Sequence, residues 1–560
     1  MNQPVNSRNG GQILVDALRI NGVERAFCVP GESYLAVLDA LYDAKDEIDL
    51  VVCRQEGGAA YMAEAYGKLT GKPGICFVTR GPGATNASVG VHTAFQDSTP
   101  MILFIGQVAR DQMDREAFQE IDFRRMFGAL AKWVVQIDDA RRIPELISQA
   151  FHRAMNGRPG PVVVALPEDM LSDVMEVADA GPARVIEPQA SAPDMHALRQ
   201  LLQQAERPLM IVGGGGWNLR AVGAIRRFAE RHDLPVAASF RCQDLFDNTH
   251  PNYVGDLGFA AAPTLIQAVK DADLLIVVGS RLGEVSTSGY TTLDIPTPKQ
   301  ALVHVHPGIE ELGRVYQPTL GINSSMSSFA ALAAELPEID GNRSANWTES
   351  LNRNYRENLR CEPSPGPVQM AEIISWLSDT LPADAILTNG AGNYCVWVQR
   401  FYQYRQFRTQ LGPTNGSMGY GVPAGVAAKL SYPERTVVSF SGDGCFLMNG
   451  QEIATAAHYG ANVIFVVVNN GMYGTIRMHQ ERNYPGRVSG TDLQNPDFAG
   501  LARAYGLHGE TVECTADFAP AFERCIGADK PSLIEIRIDP EAITPRMSLS
   551  QIRRDAENRR

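Results

Sequence analysis

The stretch from Thr436 to Asn470 constrains the fold more than any other. An apolar run, Thr436-Val437-Val438-Ser439-Phe440, leads into Ser441-Gly442-Asp443-Gly444-Cys445-Phe446. Small and apolar residues then recur at helical spacing from Leu447 to Tyr459. A second apolar run, Asn462 to Val468, ends on Asn469-Asn470. The pattern predicts strand, Gly-Asp-Gly turn, helix, strand and Asn-Asn turn. In a parallel α/β sheet, ligands gather at the carboxyl ends of the strands. Asp443 and Asn470 fall there, joined by one helical crossover. A carboxylate and an amide carbonyl are hard oxygen donors, suited to Mg²⁺ or Ca²⁺ rather than zinc. Two such ligands leave room for phosphate oxygens. Gly442 and Gly444 let a phosphate approach the backbone, and the helix start favours an anion. Each motif alone is more often an ordinary turn. Both together, after two buried strands, point to a metal-bridged phosphate site.

The chain has 560 residues, room for about three domains at ~150 residues each. Formal net charge is −13 and no Lys/Arg cluster stands out, which disfavours nucleic acid as a partner. No apolar stretch is long enough to span a membrane, and Met1 to Gly11 lacks a signal-peptide core, so the expected location is the cytoplasm. The nine cysteines are scattered and form no Cys-x-x-Cys, as expected of buried thiols rather than a zinc or disulfide framework.

Helical patterns alternate with short apolar runs along the chain, which predicts an α/β class of three doubly wound parallel-sheet domains. The expected domains are residues 1–182, 192–340 and 366–545. Strands are expected at Arg25 to Val29, Ile75 to Thr79, Met101 to Gly106 and Val162 to Leu166 in the first. In the second they are expected at Leu209 to Val212, Val236 to Ser239, Leu274 to Val278 and Ala301 to Val305. Gly181 to Pro193 and Asp340 to Pro367 read as linkers, and the charged tail after Asp539 as a surface or mobile segment.

Other blocks bear on chemistry. Leu50-Val51-Val52-Cys53-Arg54-Gln55-Glu56 reads as a strand ending on an acid, before a helix opened by Gly57-Gly58-Ala59-Ala60. Thr79-Arg80-Gly81-Pro82-Gly83-Ala84-Thr85-Asn86 is another strand, glycine turn and helix start. Gly390-Ala391-Gly392-Asn393-Tyr394 follows a strand at Ala385 to Thr388, and Gly416-Ser417-Met418-Gly419-Tyr420-Gly421 is a further glycine-rich block. Val212-Gly213-Gly214-Gly215-Gly216 lacks the full dinucleotide fingerprint, so NAD is not supported. His304-Val305-His306 has no visible third metal ligand, so ordinary polar contacts are favoured over a two-His metal site.

The Gly442-Asp443-Gly444 to Asn469-Asn470 block resembles the diphosphate-binding motif of thiamine-diphosphate-dependent enzymes. The resemblance implies that Asp443, Asn470 and the backbone carbonyl of Met472 hold Mg²⁺. It places Gly442, Gly444, Cys445, Tyr473, Gly474 and Thr475 at the cofactor, with the backbone of Gly392, Asn393 and Tyr394 meeting the diphosphate. Gly416 and Met418 would grip the pyrimidine, Met418 enforcing a bent cofactor. Arg54-Gln55-Glu56-Gly57-Gly58-Ala59-Ala60 is similar to the block with the family's catalytic glutamate, so Glu56 would hydrogen-bond N1′ of the aminopyrimidine. Pro30, Gly83 and Asn86 would lie beside the same ring. Ala117-Phe118-Gln119-Glu120 matches a block of the acetohydroxyacid (acetolactate) synthase branch, which makes Phe118 and Gln119 catalytic-site candidates.

The whole chain looks most like that branch, in which pyruvate is decarboxylated and added to a second 2-oxo acid. The resemblance implies a homodimer or homotetramer, with a small-molecule 2-oxo acid as substrate. A regulatory subunit is not legible. FAD is a candidate third cofactor, bound by the central domain in this branch. The alternatives are a related 2-oxo acid decarboxylase, an aldehyde lyase, a C–C hydrolase, or a non-catalytic nucleotide-binding protein. The chain also departs from the branch. Gly-Gln-His is replaced by Gly392-Asn393-Tyr394, and Asp-Asp-Arg-Val by Leu282-Gly283-Glu284-Val285. Glu32 stands where glycine is common, and His479 near a usual tryptophan. Glu32, Ile476 and His479 are therefore the expected substrate-pocket residues, where Glu32 would repel a 2-oxo acid unless neutralised.

Overall fold

Runs such as Leu274–Val278, Pro208–Val212 and Gly74–Val78 are buried along their whole length. Strands this apolar must be covered on both faces, the condition met in parallel sheets flanked by helices. The computed structural model describes residues 7–339, 344 and 346–559. They divide into two compact units, one up to Ile186 together with Val426–Ser431, the other made of the remainder.

The first unit holds a six-stranded parallel sheet. Across it run Asp49–Val52, Arg25–Cys28, Gly74–Val78, Met101–Gln107, Pro161–Pro167 and Trp133–Gln136. Its first helix, Gly10–Ile20, starts in a reciprocal capping box between Asn9 and Gln12. The core joins that helix to one face of the sheet through Leu14, Phe77, Phe104 and Val164.

The second unit holds two further six-stranded parallel sheets. The central one runs Tyr253–Leu257, Val236–Ser239, Pro208–Val212, Leu274–Val278, Ala301–His306 and Leu320–Asn323. The other runs Gln410–Leu411, Ile386–Asn389, Val437–Gly442, Ile464–Asn469, Ser532–Arg537 and His508–Val512. Numbered along the chain within each domain, the first and last sheets share the order 2-1-3-4-6-5, whereas the central sheet is 3-2-1-4-5-6. In the shared order the chain reverses direction across the sheet between its first and third strands, which opens a crevice at their carboxyl ends. The loops after Ile386–Asn389 and Val437–Gly442 meet at that crevice, as do those after Arg25–Cys28 and Gly74–Val78.

Four expectations need correction. The helix expected over Leu447 to Tyr459 starts at Asp443, ends at Asn449, passes through a tight turn at Gly450–Glu452 and resumes as Ile453–Tyr459. Asn449-Gly450 is a poor helix pair and breaks it. The strand expected to end on Glu56 stops at Val52, and Glu56 is the first residue of the helix Glu56–Thr70. The stretch read as the second linker contains the helix Trp347–Asn358, which buries Leu351 and Tyr355; residues 340–343 and 345 of it lie outside the described residues. The tail forms the helix Leu549–Glu557, anchored by Leu549 and Ile552 in a cluster with Met472 and Ile543. All nine cysteines are free thiols. Among the described residues, no helix is long and apolar enough to cross a membrane.

Candidate active site

At the crevice of the C-terminal sheet, Asp443 is buried and its carboxylate accepts three hydrogen bonds. Oδ1 accepts from Gly444 N at 2.9 Å, and Oδ2 accepts from Gly471 N at 2.9 Å and Asn495 Nδ2 at 2.8 Å. These bonds dock the Asn469-Asn470-Gly471 turn on Asp443. Asn469 Oδ1 reinforces them by accepting from Gly471 N and Asn495 Nδ2. Asn470 Oδ1 accepts from Met472 N at 3.2 Å, a local turn bond that sets the direction of the chain at the Met472 carbonyl. Burial pushes the Asp443 carboxyl above its ordinary value, against the hydrogen bonds that lower it. Among the described residues no Lys, Arg or His pairs with it. A buried carboxylate without a protein cation fits a metal ion. The neighbouring Asn495 Oδ1 is buried without a hydrogen-bond partner among the described residues, a further sign of an unmet polar requirement here.

The surrounding loops converge on the same point. Thr475 Oγ1 donates to Asn393 Oδ1 at 2.8 Å, and Asn393 Nδ2 donates to the Ile543 carbonyl at 2.9 Å. The Tyr394 ring lies under Gly442, and its hydroxyl is 3.5 Å from Cys445 Sγ. Cys445 Sγ in turn accepts from Gly419 N at 3.2 Å, which fastens the Gly416-Met418 loop to the same turn. A Cβ on Gly444 would stand 2.5 Å from the Tyr473 ring, so this close approach excludes any side chain. One on Gly474 would stand 3.0 Å from Asn470 Nδ2. Met418 packs partly buried on the core of this domain. Gly392, Asn393, Tyr394, Gly416, Met418, Gly442 to Cys445 and Asn470 to Thr475 are thus brought together. Ile476 and His479 lie exposed on the helix Gly474–Asn483 that follows. Partial burial and Arg482 lower the His479 pKa, so its imidazole is neutral at pH 7.

In the first unit, Asn86 Nδ2 donates to Glu56 Oε2 at 2.9 Å. A Cβ on Gly83 would stand 3.4 Å from Glu56 Oε1, so these three residues form one group. Gln119 holds a left-handed φ of 66° and packs its backbone against Gly81. Phe118 is 72% exposed, and Pro30 is exposed at the same crevice. Arg80 Nη2 donates to Glu32 Oε1 at 3.2 Å, and Nη1 to Glu168 Oε2 at 3.1 Å. The Glu32 charge, expected to repel a 2-oxo acid unless neutralised, has a guanidinium counter-ion.

His304 Nε2 bonds the Ser280 carbonyl at 2.9 Å, and His306 Nδ1 accepts from Gly308 N at 3.0 Å. These are the ordinary polar contacts favoured from sequence. No group of three or more His, Cys, Asp or Glu side chains capable of holding a metal occurs among the described residues. The hard-oxygen set at Asp443 is of another kind, one carboxylate with amide and backbone oxygens.

Three family models match the chain in succession. They are the N-terminal TPP binding domain of thiamine pyrophosphate enzymes at residues 8–126, the central domain at 195–333, and the C-terminal TPP binding domain at 390–536. The acetolactate synthase large subunit of Parasynechococcus marenigrum is 34% identical over 95% of this chain and 87% of its own length. The chain belongs to the thiamine pyrophosphate enzyme family. Within it, the acetolactate synthase isozyme 2 large subunit of Escherichia coli is 32% identical over 95% of this chain and 96% of its own. The large subunit from Lactococcus lactis is 30% identical, covering 95% and 92%. Two residues of this thiamine pyrophosphate enzyme escaped the sequence reading. Asn495 stands 52 residues beyond Asp443 and joins it only in the folded chain. Arg80 lies within the Thr79 to Asn86 stretch, but nothing local marks its pairing with Glu32 and Glu168.

Proposed function

We propose that this enzyme is a thiamine-diphosphate- and Mg²⁺-dependent carboligase of acetolactate synthase type, taking pyruvate as donor and a 2-oxo acid or other carbonyl compound as acceptor. The observation that carries the reading is the buried Asp443 carboxylate, free of any protein cation among the described residues and wrapped by the Asn470 turn and the Gly392 loop. Asp443, Asn470 and the Met472 carbonyl would hold Mg²⁺, and the Gly392-Asn393 and Gly444 backbones the diphosphate. Bound thiamine diphosphate supplies the carbanion chemistry that lets a 2-oxo acid lose CO₂ and its remainder join a second carbonyl. Glu56 would hold the proton at N1′ of the aminopyrimidine, with its carboxylate oriented by Asn86. Met418 would set the cofactor's bend. Gln119, Phe118, Pro30 and Gly83 are proposed to line the pyrimidine side.

The active form is proposed to be at least a homodimer, in the cytoplasm, with domain boundaries near residues 182, 192, 340 and 366. FAD is retained as a candidate ligand of the central sheet, and no step is assigned to it. Acceptor choice is proposed to depart from the amino-acid-forming enzymes. A neutral, exposed imidazole at His479 replaces an apolar wall, and a pocket that discriminates by shape loses that discrimination. Competition between 2-oxobutyrate, pyruvate and a simple aldehyde, with pyruvate as donor, tests this. Comparable products from all three are expected, and a strong 2-oxobutyrate preference would reject the proposal.

A further inference from the structure

We infer that Arg241, carried by the central sheet, is a positioning residue for the two loops proposed above to hold the cofactor; the inference rests on that reading. Arg241 follows the strand Val236–Ser239 and is buried. Its Nη1 donates to the Pro413 carbonyl at 2.6 Å, and its Nη2 to the Gly390 carbonyl at 2.8 Å. Gly390 opens the loop to Asn393 and Tyr394, and Pro413 opens the loop to Gly416 and Met418. One planar guanidinium therefore fixes the origins of both, a task for which a lysine ammonium lacks the fork.

Three further observations single the residue out. Its φ is 59°, a strained conformation for a residue with a Cβ, held by those two bonds. Gly412 leaves it room: a Cβ there would stand 3.0 Å from Arg241 Cδ and 3.1 Å from Nη1. No carboxylate among the described residues pairs with it, and the nearest ring contact is Phe240 at 5.0 Å. Besides the two carbonyls its only polar contact among the described residues is the neutral Cys395 thiol, Nη2 to Sγ at 3.9 Å, and a buried cation without a counter-charge is unfavourable on its own. A diphosphate brought to the Gly390 loop would supply negative charge at longer range. A plain strut between domains is already present elsewhere. Gln243 and Gln410 exchange bonds of 2.8 and 3.0 Å, and Tyr404 N donates to Asn248 Oδ1 at 2.9 Å. Asn248 touches neither cofactor loop and serves as the control.

The test is calorimetric titration of thiamine diphosphate at saturating Mg²⁺, with the melting temperature of each cofactor-free protein. The variants are Arg241→Met, Arg241→Lys, Gly412→Ala and Asn248→Ala. Arg241→Met should raise Kd at least tenfold, with Arg241→Lys between it and wild type. Gly412→Ala, which keeps the cation but crowds it, should raise Kd at least threefold. Asn248→Ala should lower the melting temperature while changing Kd less than twofold. The inference is overturned if Arg241→Met binds within twofold of wild type, or if Asn248→Ala raises Kd as much as Arg241→Met. Should Arg241→Met not fold, Kd values within twofold of wild type in both Arg241→Lys and Gly412→Ala overturn it equally. Wild-type protein with no affinity for thiamine diphosphate would instead overturn the functional reading beneath it.

Discussion

Glu481→Gln should loosen the C-terminal helix without unfolding the protein. Glu481 lies on Gly474–Asn483, the helix that follows the Asn470 turn, and its side chain is 1% exposed. Arg553 of the helix Leu549–Glu557 grips it with two bonds, Nε to Oε2 at 2.7 Å and Nη2 to Oε1 at 2.6 Å. Gly486 N and Arg477 add further bonds. Arg553 above all, against the opposing effect of burial, holds the carboxyl at about 2, where an ordinary glutamate lies at 4.5. At 1.36 kcal/mol per pKa unit, that difference is about 3 kcal/mol. Gly486 N and Arg477 supply part of that shift and stay in place when the helix opens, and the Arg553 guanidinium is 36% exposed, so the share lost with the helix is about 2 kcal/mol. Opening of the terminal helix should therefore become roughly thirtyfold more populated in Glu481→Gln. Hydrogen exchange of the Leu549–Glu557 amides, corrected for intrinsic rates, measures it. The folded pKa is depressed, so the stabilisation is present above pH 4.5 and is lost as pH falls towards 2. Wild-type protection should fall across that window, and the variant's should not. Exchange within threefold of wild type at pH 7, or the same acid dependence in the variant, would refute the reasoning.

Two further predictions concern the site. Glu56→Gln should lower kcat at least a hundredfold, because an amide cannot hold the N1′ proton. Its melting temperature should change little, since the half-buried residue lies in the first turn of a helix, where its charge is worth roughly 0.5 kcal/mol; near-normal kcat sinks the role. Asp443→Asn should raise the thiamine diphosphate Kd at fixed Mg²⁺ at least tenfold. The cofactor-free protein should stay folded, because Asn469 still accepts from Gly471 N and Asn495, and an unchanged Kd is the losing outcome.

The strands that were legible are the long, fully buried ones, where an apolar run admits few other readings. Trp133–Gln136 is a half-buried edge strand, and Gln410–Leu411 has two residues, so neither carries a periodic signal. Trp347–Asn358 is polar apart from Trp347, Leu351 and Tyr355, which is why it read as a linker. The site divides the same way. The turns at Asp443 and Asn470 were readable because each sits directly after a buried strand. Arg241 and Asn495 were not, because their partners lie 149 and 172, and 52 and 26, residues away, and only the tertiary fold supplies those contacts. The Arg80–Glu32 pair shows the converse limit. A charge that looked repulsive in sequence is neutralised by a neighbour 48 residues on.

The most direct measurement of the central claim is pyruvate turnover by protein stripped of metal and cofactor with a chelator, then supplied with thiamine diphosphate, Mg²⁺, both or neither. The account predicts CO₂ release and a carboligated product only when both are present. Turnover that does not depend on thiamine diphosphate, or pyruvate left unchanged when both are bound, would contradict it.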